Sequence, residues 1–203
     1  QKDYVRAMND ETIDIIFGIG PAGTGKTLLA TSIAANMFIE NKVKRIVIIR
    51  PAVCVDGEKH GFLPGSIEEK MAPWIKPVIY QLSKKFNPGE LAYFQKTGII
   101  SVEPIAYIRG LTFEDSIIIL DEAQNCSKGQ LKAVLTRIGT GSKIFVTGDL
   151  EQHDENKKDN GLAHFISKLE GKDISRIALI KFTNKDIQRH PVIETILELY
   201  NKY

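Results

Sequence analysis

The chain has 203 residues, 43% apolar and 26% charged, an ordinary globular composition with enough apolar side chains for a core. Its formal net charge of +2 excludes a chain-wide cationic field, so any nucleic-acid contact needs a locally basic groove. No run of about 18 apolar residues exists to span a membrane, and Gln1, Lys2 and Asp3 do not open a secretion signal. The first residue is not Met, as expected of a trimmed N-terminus. Two cysteines, Cys54 and Cys126, lie far apart without metal-ligand spacing, which argues against zinc and for a reducing cytoplasm.

The first apolar run, Ile13 to Ile19, reads as a strand and enters Gly20-Pro21-Ala22-Gly23-Thr24-Gly25-Lys26-Thr27. This is a complete G-x-x-x-x-G-K-[ST] phosphate loop, set between a strand and a helix as the motif requires. Its glycines allow a tight turn whose N–H groups, with the helix N-terminus, cradle an anion. Lys26 suits the β- and γ-phosphates of ATP, and the Thr27 hydroxyl suits Mg²⁺. The helix expected from Thr27 to Glu40 carries a core stripe of Leu28, Leu29, Ile33, Ala34, Met37 and Phe38.

A second strand, Arg45 to Ile49, is followed by Arg50 and by an irregular glycine-rich segment from Pro51 to Ile67, of a length that often serves function. Glu68 to Phe86 reads as helical, with Pro73 and Pro77 expected to break or bend its first half. Further strands are expected at Ile99 to Ile105, Ser116 to Leu120, Lys143 to Val146 and Arg176 to Phe182. Their apolarity is continuous rather than alternating, which predicts a mainly parallel α/β sheet with helices on both faces, in one domain over residues 1–203. Ser127-Lys128-Gly129-Gln130 predicts a capped helix through Arg137 and Ile138 that ends at Gly139. Pro191 suits the first turn of a last helix carrying Val192, Ile193, Ile196, Leu197 and Tyr200.

Two strand ends carry further chemistry. Ile117 to Leu120 delivers Asp121 and Glu122 to the edge of the sheet where α/β proteins bind ligands. Adjacent carboxylates repel unless a cation lies beside them, so Asp121 is assigned to Mg²⁺, through water, and Glu122 to the attacking water. Lys143 to Val146 leads into Thr147-Gly148-Asp149-Leu150-Glu151-Gln152, where the uncharged amide of Gln152 can sense a γ-phosphate and hold water. The four histidines show no ligand spacing, and no metal beyond nucleotide-bound Mg²⁺ is expected.

Taken together, Gly20 to Thr27, Arg50-Pro51, Gly61-Phe62-Leu63-Pro64-Gly65, Asp121-Glu122-Ala123-Gln124-Asn125, Gly148-Asp149-Leu150-Glu151-Gln152 and Asp186-Ile187-Gln188-Arg189-His190-Pro191 resemble the PhoH family. The family comprises ATPases associated with phosphate starvation, similar to the first motor domain of superfamily 1 helicases. The resemblance implies a three-layer, RecA-like P-loop NTPase fold, ATP hydrolysis, and a ring-shaped homo-oligomer expected to be a hexamer. Its expected substrate is RNA or single-stranded DNA. Some members carry a fused PIN-type ribonuclease domain; these 203 residues have no room for one, and RNA cleavage is not carried over. Helicases of that superfamily read adenine with a glutamine upstream of the loop, a position that Gln1 resembles.

Phosphoryl transfer of this type also needs an arginine on the transferring group. A chain without a second motor domain would take it from a neighbouring subunit, with Arg189 preferred over Arg109 and Arg137. Lys42, Lys44, Arg45, Lys84 and Lys85 read as a solvated face, so nucleic acid is expected nearer the segment from Arg50 to Trp74, with Phe62 or Trp74 available for stacking. Trp74 between two prolines suits a core position equally. Two other classes compete. A small-molecule kinase would need an arginine-bearing lid and an acceptor pocket, and neither is evident; a nucleotide-dependent switch would hydrolyse slowly and act through partners.

Overall fold

The computed structural model describes residues 1–51, 67–151, 160–172, 174–188 and 192, with side chains from residue 75 onward in the helix that begins at Ile67. Among the described residues six strands form one sheet: β1 (Ile15–Ile19), β2 (Arg45–Ile49), β3 (Ile100–Val102), β4 (Ser116–Leu120), β5 (Lys143–Gly148) and β6 (Ile177–Lys181). Their order is β3-β2-β4-β5-β1-β6, and every pairing is parallel. Helices cover both faces, which is why β4 is buried along its whole length and reads as continuous apolar sequence.

Alternate strand residues feed two cores. Ile16, Ile46, Ile48, Ile117, Ile119 and Phe145 face the layer of α1 (Lys2–Asn9), α2 (Lys26–Ile39), α3 (Ile67–Leu82) and α4 (Pro88–Lys96). Phe17, Val47, Ile49, Ile118, Leu120 and Val146 face α5 (Lys128–Leu135) and α6 (Gly161–Leu169). The expected three-layer α/β architecture is therefore present. Among the described residues no helix is long and apolar enough to cross a membrane.

Several elements depart from expectation. α3 continues through both prolines to Leu82, because Ile75, Val78 and Leu82 bury one face and hold the helix despite its missing N–H donors. α5 stops at Leu135, with Thr136 as its C-cap, rather than running to Gly139, since Phe113 N–H takes the Arg137 carbonyl and Ile138 bridges Phe113. Of the expected core stripe, Ala34 and Met37 are buried and Leu29, Ile33 and Phe38 pack against the same core, but Leu28 is 44% exposed, lying two residues, or about 200°, away from buried Ala30. Of the residues expected on the last helix only Val192 is described, and it is exposed; Ile193, Ile196, Leu197 and Tyr200 lie outside the described residues.

Candidate functional site

Register decides which side chains meet at the ligand edge. Ile49 pairs with Leu120, Leu120 with Val146, and Gly18 with both Thr147 and Ile180. One step further along β2, β4 and β5, Arg50, Asp121 and Thr147 lie level with Gly18, on the face covered by α2. Thr27 opens α2 above them. Asp121 is 2% exposed, and its Oδ1 accepts hydrogen bonds from Thr27 Oγ1 at 2.7 Å and Thr147 Oγ1 at 2.6 Å.

The phosphate loop leaves β1 through glycines that only glycine tolerates. Gly23 and Gly25 have φ of 82° and 85°, and a Cβ on Gly20 would lie 2.5 Å from the Phe182 carbonyl oxygen. The loop is also tied from outside: Gln188 N–H donates to the Gly23 carbonyl at 3.1 Å, and Gln1 Nε2 donates to the carbonyls of Thr24 at 3.1 Å and Asp186 at 3.2 Å. Lys26 is 9% exposed and its Nζ donates to the carbonyls of Gly20 at 2.6 Å and Pro21 at 2.7 Å. The ammonium is thus held inside its own loop. The Thr24 hydroxyl points into the loop as well, donating to Pro21 at 2.9 Å.

Glu122 follows in the left-handed conformation, φ 57°, which costs a non-glycine residue about 1–3 kcal/mol unless surrounding contacts hold it. Here they do. Arg50 Nη2 lies 3.3 Å from Glu122 Oε1, and Gln124 Nε2 donates to Oε2 at 2.6 Å. The other end of the Gln124 amide accepts the Asp149 N–H at 3.1 Å, so Glu122 is strapped to the end of β5.

A cavity of about 450 Å³ opens here, lined among others by Gly23, Gly25, Lys26, Thr27, Asp121 and Glu122. Ala22 lines it too, while Gly20, Pro21 and Thr24 hold the loop's inner hydrogen bonds. Hydroxyl and carboxylate oxygens at one point suit a hard divalent cation, and the open glycine backbone suits a polyphosphate; Thr27 and Asp121 are the residues that would hold Mg²⁺. A larger cavity of about 600 Å³ lies at the other end of the strands, but its cations are already engaged: Arg176 with Asp14, Lys42 with Glu40, and Lys143 with the carbonyls of Asp10 and Ile13.

The structure brings Gln1, the loop from Gly20 to Thr27, Asp121 and Glu122 together. Gln152 and Arg189 lie outside the described residues, as do Cys54, Phe62, His60, His153 and His190, while the side chain of Trp74 is likewise not described. Arg109 is exposed, and Arg137 donates to the Leu111 carbonyl at 3.0 Å, beside the start of β4 rather than its end. Cys126 is buried within the core under α5 and α6. Arg50, Gln124 and Thr147 received no role at the carboxylates from sequence. The signal was present for Arg50, which leaves an apolar run as Asp121 does.

A phosphate loop after the first strand of a parallel, helix-covered sheet, with an aspartate at the end of β4, which β5 separates from β1, defines the fold of P-loop nucleoside triphosphatases. Hef helicase domain from Pyrococcus furiosus shares this fold at a TM-score of 0.50 and 15% identity, over 92% of this chain and 38% of that one. The family is more specific. The chain belongs to the PhoH family, whose model, described as PhoH-like protein, matches residues 1–201. A PhoH-like protein of Bacillus subtilis is 42% identical over the whole chain, and protein PhoH of Escherichia coli is 35% identical over 99% of it. The chain spans 62% and 56% of the length of these two relatives.

Proposed function

We propose that this chain binds and hydrolyses ATP with Mg²⁺, and that it works as a helicase-like homo-oligomer on RNA or single-stranded DNA. The observation that carries the reading is the partly buried hydrogen bond from Thr27 to Asp121, beside Lys26 and with Glu122 next in the chain. On binding, Lys26 exchanges its loop carbonyls for phosphate oxygens, a trade of neutral acceptors for charged ones. Mg²⁺, when bound, neutralises phosphate charge. Glu122 positions the attacking water and accepts its proton. Gln152 senses the γ-phosphate, and Arg189 of a neighbouring subunit stabilises charge on the transferring group. A cytoplasmic setting fits the few, widely spaced cysteines.

The second reading is a nucleotide switch with slow hydrolysis. One observation favours it: both oxygens of Glu122 already accept hydrogen bonds. Phosphate release with no acceptor present, measured with and without single-stranded RNA or DNA, separates the readings. Release stimulated by nucleic acid is expected; unstimulated, slow release supports the switch. Lys26→Ala should abolish turnover, and normal turnover would defeat the site. Glu122→Gln should retain ATP while hydrolysis falls by about 10²-fold or more.

A further inference from the structure

Arg50 stands at the end of β2, level with Asp121, and is only 18% exposed. Its Nη1 lies 3.7 Å from Asp121 Oδ2 and its Nη2 3.3 Å from Glu122 Oε1. One guanidinium therefore spans two adjacent carboxylates that would otherwise repel each other in a partly dry site. Asp121 Oδ1 is occupied by the hydroxyls of Thr27 and Thr147, so Arg50 occupies the oxygen on the opposite side of the same carboxylate.

We infer that Arg50 is the resting counter-ion of the Asp121–Glu122 pair, and that a divalent cation and this guanidinium compete for the same two carboxylates. A dication arriving at Asp121 brings charge of the same sign within a few ångströms of Arg50 and weakens its hold on both partners. Arg50 is then a positioning residue: it holds the orientation of Glu122 while the metal is away and is loosened as the metal arrives. This inference rests on the Mg²⁺ assignment made above, but not on hydrolysis.

The test uses the whole chain without nucleotide. Arg50→Gln leaves the carboxylates without their cation, so Mn²⁺ followed by electron paramagnetic resonance should bind about tenfold more tightly than to the wild type, equivalent to about 1.4 kcal/mol. The melting temperature of Arg50→Gln should fall without divalent cations and recover on adding Mg²⁺, and Asp121→Asn in the same chain should abolish the recovery. Arg50→Lys, which keeps the charge, should stay near the wild type in both measurements. Unchanged Mn²⁺ affinity, or a stability loss that Mg²⁺ does not repair, overturns the proposal, as does a variant that stays unfolded in Mg²⁺. Recovery in a chain that never hydrolyses ATP would sink the enzyme reading and leave the counter-ion standing; hydrolysis without recovery does the reverse.

Discussion

The hydroxyl of Tyr4 is fully buried without a hydrogen-bond partner among the described residues. Burial, and then the charge of Asp121, push its ionisation far above the ordinary tyrosine range, so the phenol stays neutral wherever the fold survives. A buried polar group without a partner costs about 1–3 kcal/mol. Tyr4→Phe should therefore raise stability by about 1 kcal/mol in denaturant titration, and a loss would mean that the hydroxyl is satisfied by water. The same ring explains Gly18: a Cβ there would lie 2.6 Å from Tyr4 Cζ. Gly18→Ala should cost about 1–3 kcal/mol by overpacking. A smaller partner, Tyr4→Leu, should make the double variant better than the sum of the two singles, whereas strict additivity would place the strain elsewhere.

At the scale of elements, α1 turns Gln1 into part of the phosphate loop. With Nε2 held by Thr24 and Asp186, Oε1 is the acceptor that would meet the exocyclic amine of adenine, whereas guanine presents a carbonyl oxygen at that position. Gln1→Ala should weaken ATP more than GTP in a binding titration; equal losses would mean that the amide only supports the loop. Sequence pattern located all six strands and the phosphate loop, because a short, unbroken apolar run between helical stretches fits little besides a buried parallel strand. It missed α1, α4 and α6, each only eight or nine residues long, too short for a clear apolar period. α4 had a usable signal in Asn87-Pro88-Gly89-Glu90, which forms a complete capping box. Arg50 could be placed at the ligand edge, but its pairing with Glu122 could not be read, since it depends on strand order and register, which join residues 72 positions apart.

For the molecule as a whole, family membership and the parallel sheet support a nucleotide-driven protein, and a chain that takes its arginine from a neighbour must assemble to turn over. Mass measured in solution with and without ATP should show a homo-oligomer in at least one condition; a monomer in both, with full hydrolysis, would remove the need for an arginine in trans. The sheet order has a consequence for biosynthesis. β1 carries the phosphate loop, yet Ile15 pairs with Ile144 on one side and Ile177 on the other. A growing polypeptide emerging from the ribosome therefore presents the loop before either neighbour of β1 and cannot seat it until β5 and β6 are out. On the proposed ATP site, the nucleotide should stabilise only a chain that includes β5 and β6, and a fragment ending before β5 should gain no protease resistance from ATP.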